Sequence, residues 1–158
     1  MTKKILIFIA TYNENLNISN LFQSIINISP DYDVLVIDDN STDGTRNKIK
    51  QAKKKYKKIY LIKRSRKLGI GSAHKIGLAW GFKNKYKIII TMDCDGTHDP
   101  IYIDKMLKVL SKKNVSKYRL NLFNISSTTA PDEFKFKSLS GYIKRKFLIK
   151  TDFLRSKD

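Results

Sequence analysis

The chain has 158 residues, 41% of them apolar, which suits one globular domain with its own core. Its formal charge of +18, from 32 basic against 14 acidic residues, indicates either an anionic partner or a solvated surface rich in lysine, and both interpretations stay open. The single cysteine, Cys94, excludes an intramolecular disulfide, and no apolar run reaches the roughly 18 residues that span a bilayer.

Strand-length apolar runs alternate with amphipathic helical segments over the first two thirds of the chain. Residues 5–10 predict a buried strand, which is too short to be the core of a signal peptide. Residues 14–28 predict a helix whose apolar positions include Leu16, Leu21 and Ile25, and Ser29-Pro30 ends it. Further strands are predicted at residues 34–37, 59–62 and 86–92, and further helices at residues 45–56, after Gly69-Ile70-Gly71-Ser72, and from Asp99-Pro100 to about Lys112.

This alternation indicates βαβ units, and therefore a parallel sheet with right-handed crossovers. In open parallel sheets, ligands bind beyond the carboxyl ends of the strands. Three predicted strand ends carry polar clusters: Thr11-Tyr12-Asn13-Glu14, Asp38-Asp39 and Asp93-Cys94-Asp95. Because these ends share one edge of the sheet, we expect the three clusters to form a single site.

Beyond residue 113 the pattern weakens. Residues 118–125 predict a fifth strand, and residues 126–131 predict a loop. One face of a further predicted helix carries Phe136, Leu139, Ile143 and Phe147, beside the basic residues Lys144 and Arg145. Two interpretations of this segment stay open: a basic amphipathic helix on a membrane surface, or an ordinary packing helix with a charged outer face.

The Asp93-Cys94-Asp95 element ends an apolar run with two carboxylates one residue apart. Oxygen ligands of this kind suit Mg²⁺ or Mn²⁺, and such sites often use only one or two carboxylates, with water and substrate phosphates as the other ligands. Taken alone, the two aspartates have an alternative interpretation, in which they are exposed residues of a turn and bind no metal. Cys94 is not expected to bind the metal, because the flanking carboxylates favour hard cations. We expect His98 to shape the loop and His74 to be structural.

Four motifs follow one another at the strand ends and at the start of the third predicted crossover helix. They are Ala10-Thr11-Tyr12-Asn13-Glu14, Asp38-Asp39-Asn40-Ser41-Thr42-Asp43-Gly44-Thr45, Lys67-Leu68-Gly69-Ile70-Gly71 and Asp93-Cys94-Asp95-Gly96-Thr97-His98-Asp99-Pro100. Together they resemble family 2 glycosyltransferases, especially enzymes similar to dolichyl-phosphate or polyprenyl-phosphate mannosyltransferases. The resemblance covers about residues 4–112. It departs from the family pattern at Ala10, where proline is usual, and at Cys94, where alanine is usual.

The resemblance implies an α/β fold of the GT-A type, a Rossmann-like parallel sheet flanked by helices. Residues 1–113 would form a glycosyltransferase-like half that binds the nucleotide sugar. Residues 114–158 would be a divergent basic segment, peripheral to the fold, in which the acceptor half is truncated or changed. The implied function is metal-dependent, inverting transfer of a sugar from a nucleotide-diphosphate donor to an acceptor such as polyprenyl phosphate.

The resemblance also implies roles for single residues. Ala10, Tyr12 and Glu14 would line the pocket for the nucleotide diphosphate, and Ile37 and Asp39 would contact the nucleoside. Asp93, Cys94 and Asp95 would lie at the sugar diphosphate, with Asp93 and Asp95 as the catalytic and metal-binding residues for Mg²⁺ or Mn²⁺. Thr97 occupies a position that sometimes supplies a further ligand on the metal side. The donor would be a GDP-sugar or a UDP-sugar.

Other functions compete with this one. One alternative is that the chain is a non-catalytic fragment that binds a sugar nucleotide. Another is that it is one part of a split glycosyltransferase. A receiver domain is disfavoured because its acidic pair follows the first strand, whereas Asp38-Asp39 follows the second. Nucleic acid is not expected as a partner, since no motif combines aromatic and basic residues. The single cysteine, the short first apolar run and the lack of a bilayer-spanning run favour a cytoplasmic protein, soluble or peripheral at the cytoplasmic membrane face.

Overall fold

A computed structural model describes residues 5–112 and 121–124 of the chain. Its centre is a parallel sheet of five strands in the order β3-β2-β1-β4-β5. The strands are β1 (Ile5–Thr11), β2 (Asp33–Asp38), β3 (Ile59–Lys63), β4 (Ile88–Met92) and β5 (Asn121–Asn124). The helices are α1 (Ile18–Ile28), α2 (Thr45–Lys55), α3 (Ile70–Lys83) and α4 (Tyr102–Lys112). The predicted α/β parallel sheet is confirmed.

The strand order reverses between β1 and β4, which lie side by side although two strands and three helices separate them in sequence. A chain that winds outward in both directions from such a pair leaves a crevice at its carboxyl ends, where ligands of doubly wound sheets bind. The segments that follow β1 and β4 are Tyr12–Glu14 and Asp93–Asp95. The fold therefore brings two of the three polar clusters to the switch point.

Apolar side chains cover both faces of the sheet, as expected for a parallel sheet with crossover helices. Successive residues of a strand point to opposite faces. Ile7 and Ile9 of β1 pack with α1, α2 and α4, whereas Leu6 and Phe8 pack against α3. All four of these side chains are fully buried.

Helix α3 packs closely against the sheet at two glycines that face it. A Cβ atom on Gly77 would come within 2.5 Å of the Phe8 ring, and one on Gly81 would clash with Ile89. Only a residue without a side chain permits such an approach. Since α3 begins at the carboxyl edge of the sheet, this packing also fixes the position of its first turn.

The helix predicted from residue 14 begins at Ile18 instead. Leu16, expected on its apolar face, is 83% exposed, so that prediction was wrong. Residues 13–15 form a loop because their backbone N–H groups donate to side chains of residues 41–45, about 30 positions away in sequence. The fourth strand also begins later than predicted, at Ile88, since residues 84–87 form a turn in which Lys85 has a φ of 59°.

The fifth strand lies inside the predicted range of residues 118–125. The predicted loop at residues 126–131, the helix face around Phe136–Phe147 and the division of the chain at residue 113 concern parts outside the described residues, and they stay predictions. Within the described ranges, no helix is long and apolar enough to cross a membrane.

Candidate active site

A cavity of about 430 Å³ opens at the carboxyl edge of the sheet, at the switch point between β1 and β4. Its wall comes from three strand ends and from the start of α3. The lining residues are Ala10, Thr11, Tyr12, Glu14, Asp39, Lys67, Gly69, Ile70, Ala73, Asp93, Cys94 and Asp95. Seven of the eight residues that the sequence predicts for the donor site are among them.

Ile37 is the exception. Its side chain is fully buried in the core beneath α3, with Leu6, Phe8 and Ala73. The structure does not bring this side chain into the cavity. The predicted contact between Ile37 and a nucleoside stays a prediction.

Hydrogen bonds join the loop after β1 to the loop after β2, and we call this arrangement the loop clasp. Three backbone N–H groups of the first loop donate to side-chain oxygens of the second: Asn13 N to Ser41 Oγ (2.9 Å), Glu14 N to Thr45 Oγ1 (2.8 Å) and Asn15 N to Asp43 Oδ2 (2.9 Å). In return, Thr42 N donates to Asn13 Oδ1 (2.9 Å). The clasp fixes the segment that carries Tyr12 and Glu14 into the cavity wall.

Asp43 and Thr45 form the centre of the clasp. The Thr45 hydroxyl accepts the bond from Glu14 and donates to Asp43 Oδ1 at 2.5 Å, while Thr45 N also donates to Asp43 Oδ1 at 3.0 Å. Desolvation acts to raise the pKa of Asp43, but the hydrogen bonds from Thr45 and Asn15 outweigh it, so the pKa lies below its usual value. The carboxylate is therefore charged at neutral pH and accepts three hydrogen bonds.

Asp39 holds the loop between β3 and α3 against the cavity. Its two carboxylate oxygens accept hydrogen bonds from Leu68 N (2.8 Å) and Gly69 N (2.7 Å), and Arg64 Nε lies 3.1 Å from Oδ1. The side chains of Arg64 and Asp39 are only 4% and 8% exposed. The Arg64 guanidinium also contacts Ser72 Oγ, in the first turn of α3. Asp39 thus has three partners within the protein, and its predicted bond to a nucleoside stays a prediction.

The neighbouring Asp38 is buried and is bound by other residues of the protein. Its carboxylate is fully buried, pairs with the Arg46 guanidinium and accepts a hydrogen bond from Ser41 N at 3.2 Å. Arg46 in turn donates to the backbone oxygen of Arg64 at 2.8 Å. Arg46 therefore connects the loop after β2 to the loop after β3.

The Asp93-Cys94-Asp95 segment turns sharply after β4, with Gly96 at a φ of 85°. Asp93 N donates to His98 Nδ1 at 2.7 Å, and His98 Nε2 lies 3.6 Å from Asp93 Oδ2. Because a backbone N–H can only donate, Nδ1 of His98 accepts, and the ring proton sits on Nε2. His98 is only 7% exposed, and the prediction that it shapes the loop is confirmed.

Asp95 is exposed and oriented by Thr97. Its Oδ1 accepts hydrogen bonds from Thr97 Oγ1 (2.6 Å) and Thr97 N (3.0 Å). These bonds lower the pKa of Asp95, the hydroxyl more than the backbone group, so the carboxylate is charged at neutral pH.

Cys94 points inward between these two carboxylates. Burial, and after it the charges of Glu14 and Asp95, raises the pKa of the thiol to about 12. The thiol therefore keeps its proton at neutral pH. A protonated, buried thiol is a poor nucleophile. That Cys94 does not bind the metal stays a prediction.

Lys67 supplies the positive charge of the cavity. Its Nζ lies 3.7 Å from the centre of the Tyr12 ring, a cation–π contact between two lining residues. Among the described residues that line the cavity, Lys67 is the only basic one, beside the carboxylates of Glu14, Asp39, Asp93 and Asp95.

The model of one protein family, Glycosyl transferase family 2, matches residues 6–153. The chain belongs to this family. The match extends well past residue 112, where the resemblance drawn from the four motifs ends. Family membership therefore rests on the weakly patterned segment as well as on the strand-end motifs.

Curated relatives of this family 2 chain are similar to it over about two thirds of its length. Polyprenol monophosphomannose synthase of Mycolicibacterium smegmatis is 32% identical over 107 residues, which is 67% of this chain and 40% of the relative. Undecaprenyl-phosphate mannosyltransferase of Micrococcus luteus is 31% identical (68% and 44%), and dolichol-phosphate mannosyltransferase of Pyrococcus furiosus is 33% identical (68% and 30%). The expected similarity to polyprenyl-phosphate mannosyltransferases is confirmed. The chain spans less than half the length of each of these relatives.

Among solved structures, residues 1–349 of S. aureus TarS resemble the chain with a TM-score of 0.58. The sequence identity is 18%, and the similarity covers 69% of this chain and 32% of TarS. At this identity the likeness concerns the fold alone. The expected GT-A type of fold is confirmed.

The carboxylates at the end of β4 provide oxygen ligands, which hard divalent cations prefer. In the described ranges, no three His, Cys, Asp or Glu side chains lie close enough to hold a metal ion by themselves. Mg²⁺ needs fewer protein ligands than that, because waters and substrate phosphates complete its shell. Asp95 is charged and exposed, the Asp93 side chain is 42% exposed, and both border the cavity. A two-carboxylate site is thus compatible with family 2 chemistry here.

Sequence reasoning assigned no site role to two basic residues, Lys67 on the cavity wall and Arg64, which pairs with Asp39. The signal for Arg64 is non-local. Nothing local distinguishes it from its basic neighbours Lys63, Arg66 and Lys67. Its importance comes from Asp39, 25 positions earlier in the chain, which only the pairing of β2 with β3 brings close. Only a prediction that β2 and β3 are adjacent strands could have suggested the Arg64–Asp39 pair.

Proposed function

We propose that the cavity binds a nucleotide-diphosphate sugar together with Mg²⁺ or Mn²⁺, for inverting transfer of the sugar to an acceptor. Polyprenyl phosphate is the acceptor that the names of the relatives favour. The observation that carries the proposal is geometric: seven residues from three separate strand ends line one cavity at the switch point of a family 2 fold.

In this proposal, Asp93 and Asp95 hold the cation and Thr97 keeps Asp95 oriented. When bound, the cation neutralises the diphosphate and stabilises it as a leaving group. Tyr12 and Glu14, fixed by the loop clasp, form the wall beside the diphosphate. Their fixed positions lower the entropy cost of placing the donor.

Lys67 is placed to act on the same diphosphate. A donor diphosphate brings negative charge into a cavity already lined by several carboxylates, so a lysine on its wall offsets the repulsion. We expect its ammonium to leave the Tyr12 ring for a phosphate oxygen. Transfer itself is a single displacement: the acceptor oxygen bonds to the anomeric carbon as the bond to the diphosphate oxygen breaks. This fits a site in which the one thiol, Cys94, is protonated.

Titration calorimetry tests the donor site. GDP and UDP are titrated into the chain with and without Mn²⁺, and we expect binding of one of them to depend on the ion. Asp95→Asn should weaken this binding by at least about a hundredfold, since a charged ligand is lost while the fold is kept. Asp31→Asn is the control, because Asp31 is an exposed carboxylate that pairs with Lys58 and does not belong to the described cavity lining. Equal affinity in wild type and Asp95→Asn would refute the metal site.

A second function is binding of a sugar nucleotide without transfer. It is favoured by one observation: the lining residues, within the part of the chain that the structure describes, lie between positions 10 and 95, which is the donor side in the family 2 resemblance. Both functions predict ion-dependent binding of the nucleotide. Only the first predicts release of nucleoside diphosphate from GDP-mannose or UDP-glucose when a short polyprenyl phosphate is added.

A further inference from the structure

The charge of the chain is strongly segregated. Residues 44–92 contain 16 lysines and arginines and no aspartate or glutamate, so half of the 32 basic residues lie in a stretch that lacks all 14 acidic ones. A lysine-rich composition spread evenly would not produce this separation. The stretch forms α2, β3, α3 and β4, and β3 is the edge strand of the sheet. Twelve of the sixteen cations lie at positions 46–67, which form α2, the edge strand β3 and the loop before α3, and three of these twelve pair with aspartates. The β3 edge is therefore rich in basic side chains.

At the carboxyl end of β3, this basic stretch continues into the loop before α3. We call this loop, together with the last residue of β3 and the first residue of α3 (residues 63–70), the basic loop. Its exposed side chains include the cations of Lys63, Arg66 and Lys67. Two aliphatic side chains stand beside them: Leu68 is 48% exposed and Ile70 is 58% exposed. Exposed aliphatic groups next to cations are typical of surfaces that contact a membrane interface.

The basic loop is held in place by buried contacts. Arg64 N donates to Asp38 O at 2.9 Å, and the Asp39 carboxylate binds the N–H groups of Leu68 and Gly69. The loop is thus anchored at both ends. Gly69 takes a φ of 82°, a backbone conformation that is strained in residues with a side chain. The exposure of Leu68 and Ile70 is a property of this anchored conformation.

We propose that the basic loop docks onto an anionic lipid bilayer. Leu68 and Ile70 would enter the interface between headgroups and acyl chains, and Lys63 and Arg66 would bind lipid phosphates. The phosphates of a nucleic acid would bind the cations equally well, but they would not bury the exposed aliphatic side chains. The bilayer is therefore favoured.

This docking would place the cavity mouth at the membrane, because Lys67, Gly69 and Ile70 belong both to the basic loop and to the cavity wall. It deepens the proposed function, on which its meaning for a lipid acceptor rests. The carboxylates at the same edge, Glu14, Asp93 and Asp95, line the cavity and lie outside the loop itself.

Vesicle co-sedimentation of the full chain tests the docking without any donor, so its failure is separate from failure of the donor site. We expect binding to vesicles of phosphatidylcholine with phosphatidylglycerol, weak binding to phosphatidylcholine alone, and a loss of binding as salt is raised. Leu68→Ser should lower partitioning about fivefold. Lys63→Gln with Arg66→Gln should lower it by about thirtyfold. The matched control is Phe82→Ser, since Phe82 is 47% exposed but lies near the end of α3, away from the loop.

A fluorescent probe reports the depth of the loop directly. Leu68→Cys takes a polarity-sensitive maleimide selectively, because the native Cys94 is only 4% exposed. We expect a blue shift with anionic vesicles, and none when Phe82→Cys carries the probe. Three results would overturn the proposal: equal binding to neutral and anionic vesicles, equal loss in Leu68→Ser and Phe82→Ser, or a lowered melting temperature of Leu68→Ser with unchanged vesicle binding. The last would show that Leu68 packs against the chain itself.

Discussion

The Arg64–Asp39 pair links the stability of the protein to the shape of its site. Both side chains are almost fully buried, so the charge of each is tolerated only because the other is near. The same carboxylate fixes the backbone of residues 68 and 69 at the cavity wall. A defect in this pair would therefore affect both folding and the position of Lys67.

Replacing Arg64 tests this at the residue scale. Arg64→Leu should lower the free energy of unfolding by about 3 kcal/mol or more, because it leaves a buried carboxylate without its countercharge. Urea unfolding measures the change. Lys58→Gln, which breaks the exposed pair with Asp31, should unfold at nearly the wild-type urea concentration. If both variants unfold at similar urea concentrations, the buried Arg64–Asp39 pair contributes no more to stability than the exposed pair.

At the scale of elements, the order and type of the helices and strands could be predicted because they depend on local periodicity and on Pro and Gly at their ends. What failed was non-local. Leu16 lies in a loop because the neighbouring backbone groups bind Thr45 and Asp43, and Arg64 matters because β2 and β3 are neighbours. The convergence of the strand-end clusters on one cavity followed from the parallel sheet alone, without knowledge of these side-chain contacts.

The close approach of α3 to the sheet gives a prediction for this element. Gly77→Ala should lower the free energy of unfolding by about 1–3 kcal/mol, since the added Cβ meets the Phe8 ring. Gly71→Ala lies in the same helix with nothing within 4 Å of its Cβ, and should raise stability by about 0.5–1 kcal/mol. Urea unfolding of both variants checks the pair. Destabilisation of equal size in both would contradict the packing explanation.

The loop clasp predicts a pH dependence. Because the pKa of Asp43 is lower in the folded chain than its ordinary value of 3.8, its contribution to stability is fully present above that value and is lost as pH falls through the folded pKa. The difference in unfolding free energy between wild type and Asp43→Asn should thus be constant from about pH 7 to pH 5 and should shrink below about pH 4. Denaturant titrations over this range measure it. A difference that already declines near pH 6 would indicate another group.

For the whole molecule, the segregation of charge matters more than its total. Residues 44–92 hold cations with no acid among them, so neighbouring lysines of α2 repel one another at low salt. Lys50 and Lys54 are four residues apart on this helix, and such like-charged pairs destabilise it slightly. Helix α2 is therefore less stable than its intrinsic helix propensity alone would allow, and this cost is consistent with the proposed docking on an anionic bilayer.

This cost can be measured by reversing one charge. Lys50→Glu replaces a repulsive pair by an attractive one with Lys54 and should raise the melting temperature by about 2 °C in low salt. Lys50→Gln, which only removes the repulsion, should give about half of that rise. At about 1 M NaCl, where screening acts over roughly 3 Å, both gains should vanish. Glutamate and lysine have similar helix propensity, so a rise that persists in high salt would point to local packing at position 50 and would contradict charge repulsion as its cause.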